Sequence, residues 1–443
     1  MQKREWIYEA AVVGARPLLG LAAPLSPKLG QGVRGRRGAI AALEAWARES
    51  RDASRPLVWV HAPSVGEGLM AQAIVSALRE LRPEVQVAFT YFSPSAERIA
   101  ARVGADVAGY LPWDVRSEVG RALDALRPGV IAFVRTEIWP VLGREATRRG
   151  VRHVLVNAVL GAGSSRLRAG SRFLLGPAYR RLDAVGAVAK ADAARFALLG
   201  VSPERVRVTG DARFDQVWAR VVRLREAGAT ERLPLLRRLN DGVATTVVAG
   251  STWPADEARL VPAFARARAA GPLRLIVAPH EPTEAHLVGV ERALDAAGVT
   301  HARLAAVEAS DAPLPEAVVV DRVGVLADLY AIADVAYVGG GFGHDGLHSV
   351  VEPAALGVPV LYGPRHGNAR EADALAWAGG GTVVRSASEL EEMLVALVLD
   401  PERRAEAGRA ALEFVRSELG GAAANAELIA EFLEASATPA SAG

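Results

Sequence analysis

The sequence predicts an α/β protein of two doubly wound halves facing a cleft, and three observations carry that prediction. The chain has 443 residues, more than one hydrophobic core usually supports, because domains commonly run about 100–200 residues. From Leu57 onward, short β-branched or aromatic runs, small-residue loops and stretches with helical apolar spacing follow one another. That alternation is the signature of a parallel sheet covered by helices. Finally, Val217 to Asn240 is charged and helical in character, with Gly228 and Pro234 as interruptions, before a new strand opens at Thr245–Ala249. The boundary between the halves falls there.

The amino end, residues 1–40, stands apart. Lys3, Arg4, Arg16, Lys28, Arg34, Arg36 and Arg37 face only Glu5 and Glu9, although the whole chain carries a formal charge of only +2. Trp6 to Leu25 is rich in Ala, Val and Leu, but Glu9, Arg16, Pro17 and Pro24 interrupt it. It therefore falls short of the ~18 consecutive apolar residues that a spanning helix needs. Two readings stand: a membrane-interfacial segment held by anionic headgroups, and an amphipathic helix packed on its own domain. Glu5 and Glu9 argue against a cleaved signal peptide.

In the first half, residues 41–225, Leu57–Ala62 reads as a buried strand, Pro63–Gly68 as a loop and Leu69–Leu81 as a helix. Further strands are expected at Val85–Tyr91, Val130–Val134, His153–Val156, Ala184–Ala189 and Val206–Thr209. The second half, residues 240–435, repeats the pattern at Leu273–Ala278, Val318–Asp321, Val335–Val338, Pro359–Tyr362 and Thr382–Val384, and closes on helical sequence from Pro401 to Leu433. Residues 436–443, rich in Ser, Ala, Thr and Pro, read as a flexible tail.

Composition removes several chemistries. Zero cysteines exclude disulfides, thiolate zinc sites and a cysteine nucleophile together, so any catalyst is oxygen- or nitrogen-based. There is no Gly-Lys-Ser/Thr, no G-x-S-x-G and no D-x-D, which weakens P-loop, hydrolase and metal-bridged diphosphate readings. His280 and His286 are too far apart for a zinc helix, and Pro282 interrupts it. Gly346 between His344 and His348 likewise argues for a loop. The basic residues are balanced overall and form no face interleaved with aromatics, so no nucleic-acid partner is expected.

Three loops hold candidate chemistry. Ser64-Val65-Gly66-Glu67-Gly68 follows the first strand, where open α/β sheets bind ligands. Glu67 opens a helix, whose amino end favours the ionised carboxylate that a general base requires; an ordinary helix-start Glu would look the same. Arg135-Thr136-Glu137-Ile138-Trp139-Pro140 follows another strand, so Glu137 either orients an acceptor or simply starts a helix beside Pro140. Gly341 to Gly346 spells G-x-G-x-x-G ahead of helix-like His348–Leu356. A dinucleotide fold would place an acid about 20 residues onward, yet Pro364-Arg365-His366-Gly367 is basic. The same glycines also let backbone and a helix amino end approach a phosphate. Glu352, one turn in, then either grips sugar hydroxyls of a nucleotide or is a solvated first-turn acid.

Taken together, the motifs resemble the Kdo (3-deoxy-D-manno-octulosonic acid) transferase family of lipopolysaccharide and lipid A assembly, over most of the chain. His61-Ala62-Pro63-Ser64-Val65-Gly66-Glu67 looks like H-A-x-S-V-G-E, Arg135 to Pro140 like E-T-E-x-W-P, and Thr209 to Asp215 like T-G-N-x-K-F-D. Gly250-Ser251-Thr252, Ala278-Pro279-His280, Gly339 through Pro353, and Gly363-Pro364 with Asn368 follow the second-half pattern. The resemblance implies a GT-B fold of two Rossmann-like domains and inverting transfer from CMP-Kdo to an acylated glucosamine disaccharide, with no cofactor and no metal. It implies Glu67 as general base and Ser64, Gly66 and Glu137 on the acceptor side. Donor contacts would come from Ser251, Thr252, His280, Gly340, Gly341, Gly343, His348, Ser349, Glu352 and Asn368. The expected place is the cytoplasmic face of the bacterial inner membrane, peripheral or monotopic. Arg135, Val159 and Ser349 depart from the family's Glu, Arg and Asn. Another GT-B nucleotide-sugar transferase or epimerase, or a non-catalytic nucleotide-sugar-binding relative, are the alternatives.

Overall fold

The structure is a computed structural model that describes residues 2–226, 234–239, 242 and 245–437. It divides into two compact units, one formed by residues up to Gln216 together with those from Glu418, the other by Val217–Ser417.

The first unit holds seven strands: β1 (Leu57–His61), β2 (Gln86–Tyr91), β3 (Val107–Tyr110), β4 (Val130–Val134), β5 (Arg152–Ala158), β6 (Ala184–Ala187) and β7 (Val206–Val208). They pair in parallel in the order β3-β2-β1-β4-β5-β6-β7. Every residue of β1, β2 and β4 is buried, because helices cover both faces of a parallel sheet and the strands read as continuous apolar runs. Alternate side chains serve opposite layers. Val58, Val60, Val87 and Phe89 pack with Ile74 and Leu78 on one face, and Leu57, Trp59, Ile131 and Phe133 with Leu123 and Leu142 on the other.

The second unit repeats the plan with β8 (Thr245–Thr252), β9 (Leu273–Pro279), β10 (His301–Arg303), β11 (Ala317–Val319), β12 (Val335–Val338), β13 (Val360–Tyr362) and β14 (Gly381–Val383). All pair in parallel, in the order β10-β11-β9-β8-β12-β13-β14. Two such sheets are the GT-B architecture. In each, the strand order reverses beside the first strand, between β1 and β4 and between β8 and β12. Loops leaving the carboxyl ends there form the crevice where doubly wound sheets bind ligands.

The strands expected from apolar runs all form. The two that sequence reading missed, β3 and β10, are edge strands whose residues are mostly half-exposed, so they carry no continuous apolar run to betray them. The carboxyl end differs more. The helical stretch from Pro401 breaks into Pro401–Ser417 and Gly421–Ala437, with Gly420 at φ +107 between them. The second of these was expected to belong with residues 240–435. Instead Ala422, Ala426, Ile429 and Leu433, at helical spacing, join the core of the first unit against helix Val65–Leu81.

Its amino end is fastened by the Thr209–Asp215 motif. Asp215 accepts the N–H groups of Gly420 (2.8 Å) and Ala422 (2.9 Å), satisfying donors that a helix start leaves open. Asn425 Oδ1 accepts from Asn157 N (2.9 Å) and Thr209 Oγ1 (3.1 Å). The tail expected over residues 436–443 is helical at Ser436 and Ala437; residues 438–443 lie outside the described residues, as does Gly228.

The amino-terminal helix, Gln2–Ala22, turns its charges toward the protein. Glu5 pairs with Arg181, Glu9 with Arg144 (2.7 Å), and Arg16 with Glu118 (2.6 Å), while Glu9 also accepts the backbone N–H of Arg116 (2.7 Å). Trp6, Ile7, Val13, Leu18 and Leu21 are exposed, as is Leu25 in the next turn. Among the described residues no helix is long and apolar enough to cross a membrane.

Candidate active site

In the first unit His61 of β1 lies opposite Phe133 of β4, so the loops that follow emerge side by side. Helix Val65–Leu81 begins four residues before the predicted start, with Ser64 extended at its N-cap (φ −134, ψ 178). Gly66 and Glu67 therefore occupy its first turn, and Ser64 Oγ donates to Glu67 Oε2, leaving Oε1 for a substrate. Glu137 sits in the loop after β4. Burial raises its pKa and the Glu67 charge adds to that, with Arg166 opposing. Burial thus biases Glu137 toward the protonated form, which can donate as well as accept.

A chain of rings walls this loop. Trp139 Nε1 donates to His61 Nε2 (2.9 Å), and His61 Nδ1 meets Thr90 Oγ1 (3.1 Å). An indole can only donate, so His61 carries its proton on Nδ1. Burial lowers its pKa to about 3, which keeps it neutral at any working pH. Trp139 stacks on Phe92 (5.3 Å, 29°), and the Arg36 guanidinium covers the other part of that ring at 3.9 Å.

Two of the family departures turn out to be neighbours. Arg135 O, just after β4, accepts from Val159 N, just after β5 (3.3 Å). Arg135 Nη1 reaches Met70 Sδ (3.7 Å), one turn along the helix from Glu67. Arg135 (φ +79), Asn157 (φ +50) and, in the second unit, Ser251 (φ +53) hold left-handed backbone without being glycine. Such conformations cost about 1–3 kcal/mol each and persist where surroundings enforce them, commonly at functional loops.

In the second unit Val338 of β12 lies opposite Gly250 of β8. Ser251, Thr252 and Trp253 leave β8 next to the glycine loop that leaves β12. Buried Asp256 ties the two: its Oδ2 accepts from Trp253 N (3.0 Å) and Gly340 N (2.8 Å), its Oδ1 from Tyr337 OH (2.9 Å). Gly340 (φ +92) has no room for a side chain, since a Cβ there would stand 2.0 Å from Gly346 O. Gly341 is as tight, 2.6 Å from Gly363 N. Gly343 has only Asp345 near it.

Several predicted donor contacts are engaged within the protein. Thr252 Oγ1 donates to Glu257 Oε1 (2.8 Å), and Glu257 also meets His286 Nε2 (2.9 Å). Asn368 braces the loop, with Oδ1 accepting from Leu347 N (3.0 Å) and Nδ2 donating to Leu347 O (2.9 Å). His280 and His348 stack at 4.3 Å and 26°. The helix expected over His348–Leu356 forms only at Val351–Ala355, so His348 and Ser349 sit in the turn before it. The anion-binding helix end expected there shrinks to a single turn, too short for a substantial dipole. Glu352 lies in that turn; burial raises its pKa, partly offset by Arg220. Among the described residues no three His, Asp or Glu side chains converge as metal ligands would.

Sequence reading placed the candidates in loops that follow the strands and included Asp256-Glu257 in the second-half motif, but it passed over Trp253 and Arg220. The adjacent acids Asp256-Glu257 just after Gly250-Ser251-Thr252 were visible in sequence. Their roles were not, because the groups they serve are remote in the chain.

Comparison with known proteins bears on the family and the fold. The family model described as 3-Deoxy-D-manno-octulosonic-acid transferase (kdotransferase) matches residues 32–216. The chain is 30% identical over 392 residues to a 3-deoxy-D-manno-octulosonic acid transferase of Bordetella pertussis, covering 85% of this chain and 87% of that one. It is 26% identical over 386 residues to the enzyme of that name from Haemophilus influenzae, with 85% and 87% covered. Among solved structures, UDP-GlcNAc 2-epimerase from Neisseria meningitidis bound to UDP-GlcNAc superposes with a TM-score of 0.60 at 12% identity, covering 86% of this chain and all of that one. At that identity the likeness concerns the fold alone.

Proposed function

The chain belongs to the 3-deoxy-D-manno-octulosonic acid transferase family and is a glycosyltransferase acting on Kdo in lipopolysaccharide biosynthesis, and from that premise we propose that it moves Kdo from CMP-Kdo to a lipid A precursor with inversion. The observation that carries this reading is Glu67 in the first turn of helix Val65–Leu81, one oxygen held by Ser64 and the other free, beside Glu137. Glu67 takes the proton of the acceptor hydroxyl as that oxygen bonds to the anomeric carbon. The bond from that carbon to the phosphate oxygen breaks, and CMP departs with the electron pair. A phosphate leaves as a stabilised anion, so one carboxylate suffices where glycoside hydrolases generally use two, and the step itself calls for no metal.

In this reading Ser64, Gly66 and Glu137 of the first unit receive the acceptor sugar. The loops after β8, β9 and β12, with Ser251, His280, Gly340, Gly341, Gly343, His348 and Ser349, receive the donor. Glu352 accepts from ribose hydroxyls, and Thr252 and Asn368 hold those loops in shape. The test is mass analysis of a tetra-acylated lipid A precursor incubated with CMP-Kdo. A mass gain of one or more Kdo units with matching CMP release is expected; CMP-Kdo consumption with an unchanged lipid would sink the acceptor assignment.

The amino-terminal helix serves this acceptor at the cytoplasmic face of the inner membrane. Glu5, Glu9 and Arg16 are paired on the protein side, and the exposed Trp6, Ile7, Val13, Leu18 and Leu21 present an apolar face suited to the headgroup boundary. The full chain is expected to co-sediment with phosphatidylglycerol-containing vesicles, and a Leu18→Glu, Leu21→Glu double variant to stay in the supernatant. A native chain that ignores such vesicles would overturn the membrane assignment.

A further inference from the structure

Trp253 has an unusual duty in the second unit. Its Nε1 lies 3.2 Å from His348 Nε2, and because an indole nitrogen can only donate, that imidazole nitrogen must offer its lone pair. The single proton of neutral His348 is then on Nδ1. Rotation of the ring is restrained, since His280 stacks on one face at 4.3 Å and Trp253, itself 5.0 Å from His280 at 31°, holds the Nε2 edge. Trp253 is itself anchored, its backbone N–H donating to the same Asp256 oxygen that holds Gly340. Among the described residues nothing accepts a hydrogen bond from His348 Nδ1.

We propose that Trp253 is a positioning residue that fixes His348 in its Nδ1–H tautomer, so that the nucleotide site presents one directed N–H donor to a phosphate oxygen. This rests on the donor reading given above. The groups that face His348 are His280 from the loop after β9, Asp256 from helix Pro254–Ala267 and Asp345 from the glycine loop. Burial, followed by His280, lowers the His348 pKa against the pull of the two acids. The indole N–H acts in the same direction, since a protonated Nε2 would point its hydrogen at another hydrogen. A neutral, oriented donor holds the phosphate without placing a positive charge against the stacked His280 ring.

The experiment compares CMP with cytidine, which lacks the phosphate, on the full chain and on Trp253→Phe, which keeps an aromatic ring in the stack and removes the N–H donor. Calorimetric titrations at pH 8 are expected to show CMP affinity falling about tenfold while cytidine affinity changes by less than about twofold. With Nε2 released, His348 can protonate, so the deficit shrinks as the pH is lowered to 6. Nitrogen-15 spectra of the native chain should show Nδ1 protonated and Nε2 bare. Equal losses for CMP and cytidine, or a proton on Nε2, overturn the proposal while leaving the donor reading intact. A native chain that binds no CMP overturns both.

Discussion

Glu67→Ala is expected to bind CMP as the native chain does and to transfer Kdo at least about a hundredfold more slowly, the effect typical of losing a positioned base. The separation of binding from turnover follows from where the residue sits. Glu67 belongs to the first unit, whereas the glycine loop and the His280–His348 stack belong to the second. Ser64 Oγ donates to Oε2, so the carboxylate is oriented and the remaining oxygen is aimed. Glu137 is a poor substitute base, since its burial raises its pKa and so favours the protonated form. Steady-state rates and CMP titrations on the two proteins decide the matter. Undiminished turnover in the variant would move the base elsewhere, and lost CMP binding would point to a structural role.

The other large effect is expected at Gly340. Gly340→Ala forces an L side chain to φ +92 and puts a Cβ 2.0 Å from a backbone oxygen, Gly346 O. Left-handed strain and overpacking together cost about 2–4 kcal/mol, and the neighbour cannot yield as a flexible side chain would. Any relief shifts Gly340 N away from Asp256 and loosens the loops after β8 and β12 together. A lowered melting temperature and at least about a tenfold loss of CMP affinity are expected. Gly367→Ala is the matching control, because a Cβ there has nothing within 4 Å. If both variants bind CMP like the native chain, the glycine loop does not hold the nucleotide.

Glu352 shows how function and stability pull apart here. Its raised pKa means that the folded state disfavours its ionised form, so the cost to stability is present above that pKa and fades as pH falls through it. A carboxylate kept there against burial is what a ribose-gripping acid requires.

What the sequence determined by itself is the interior of each sheet and which strand-end loops carry the candidate residues. β1, β4 and β12 were legible because a strand buried on both faces must be apolar throughout, a local property that neighbouring residues share. Glu67 was legible because a strand end, a small-residue loop and a helix start adjoin in sequence. The tertiary structure decided what depends on remote partners. The edge strands β3 and β10 exist only by pairing. The helix Gly421–Ala437 belongs to the first unit because Asn425 reaches Asn157, 268 residues away. Asp256 shapes a loop 84 residues on, and Trp253 sets the proton of a histidine 95 residues on. The charges of the amino-terminal helix, which looked in sequence like flaws in an apolar segment, face inward because Arg144, Arg181 and Glu118 wait there. A hydrogen bond or ion pair has no signature in sequence until the fold supplies its other half.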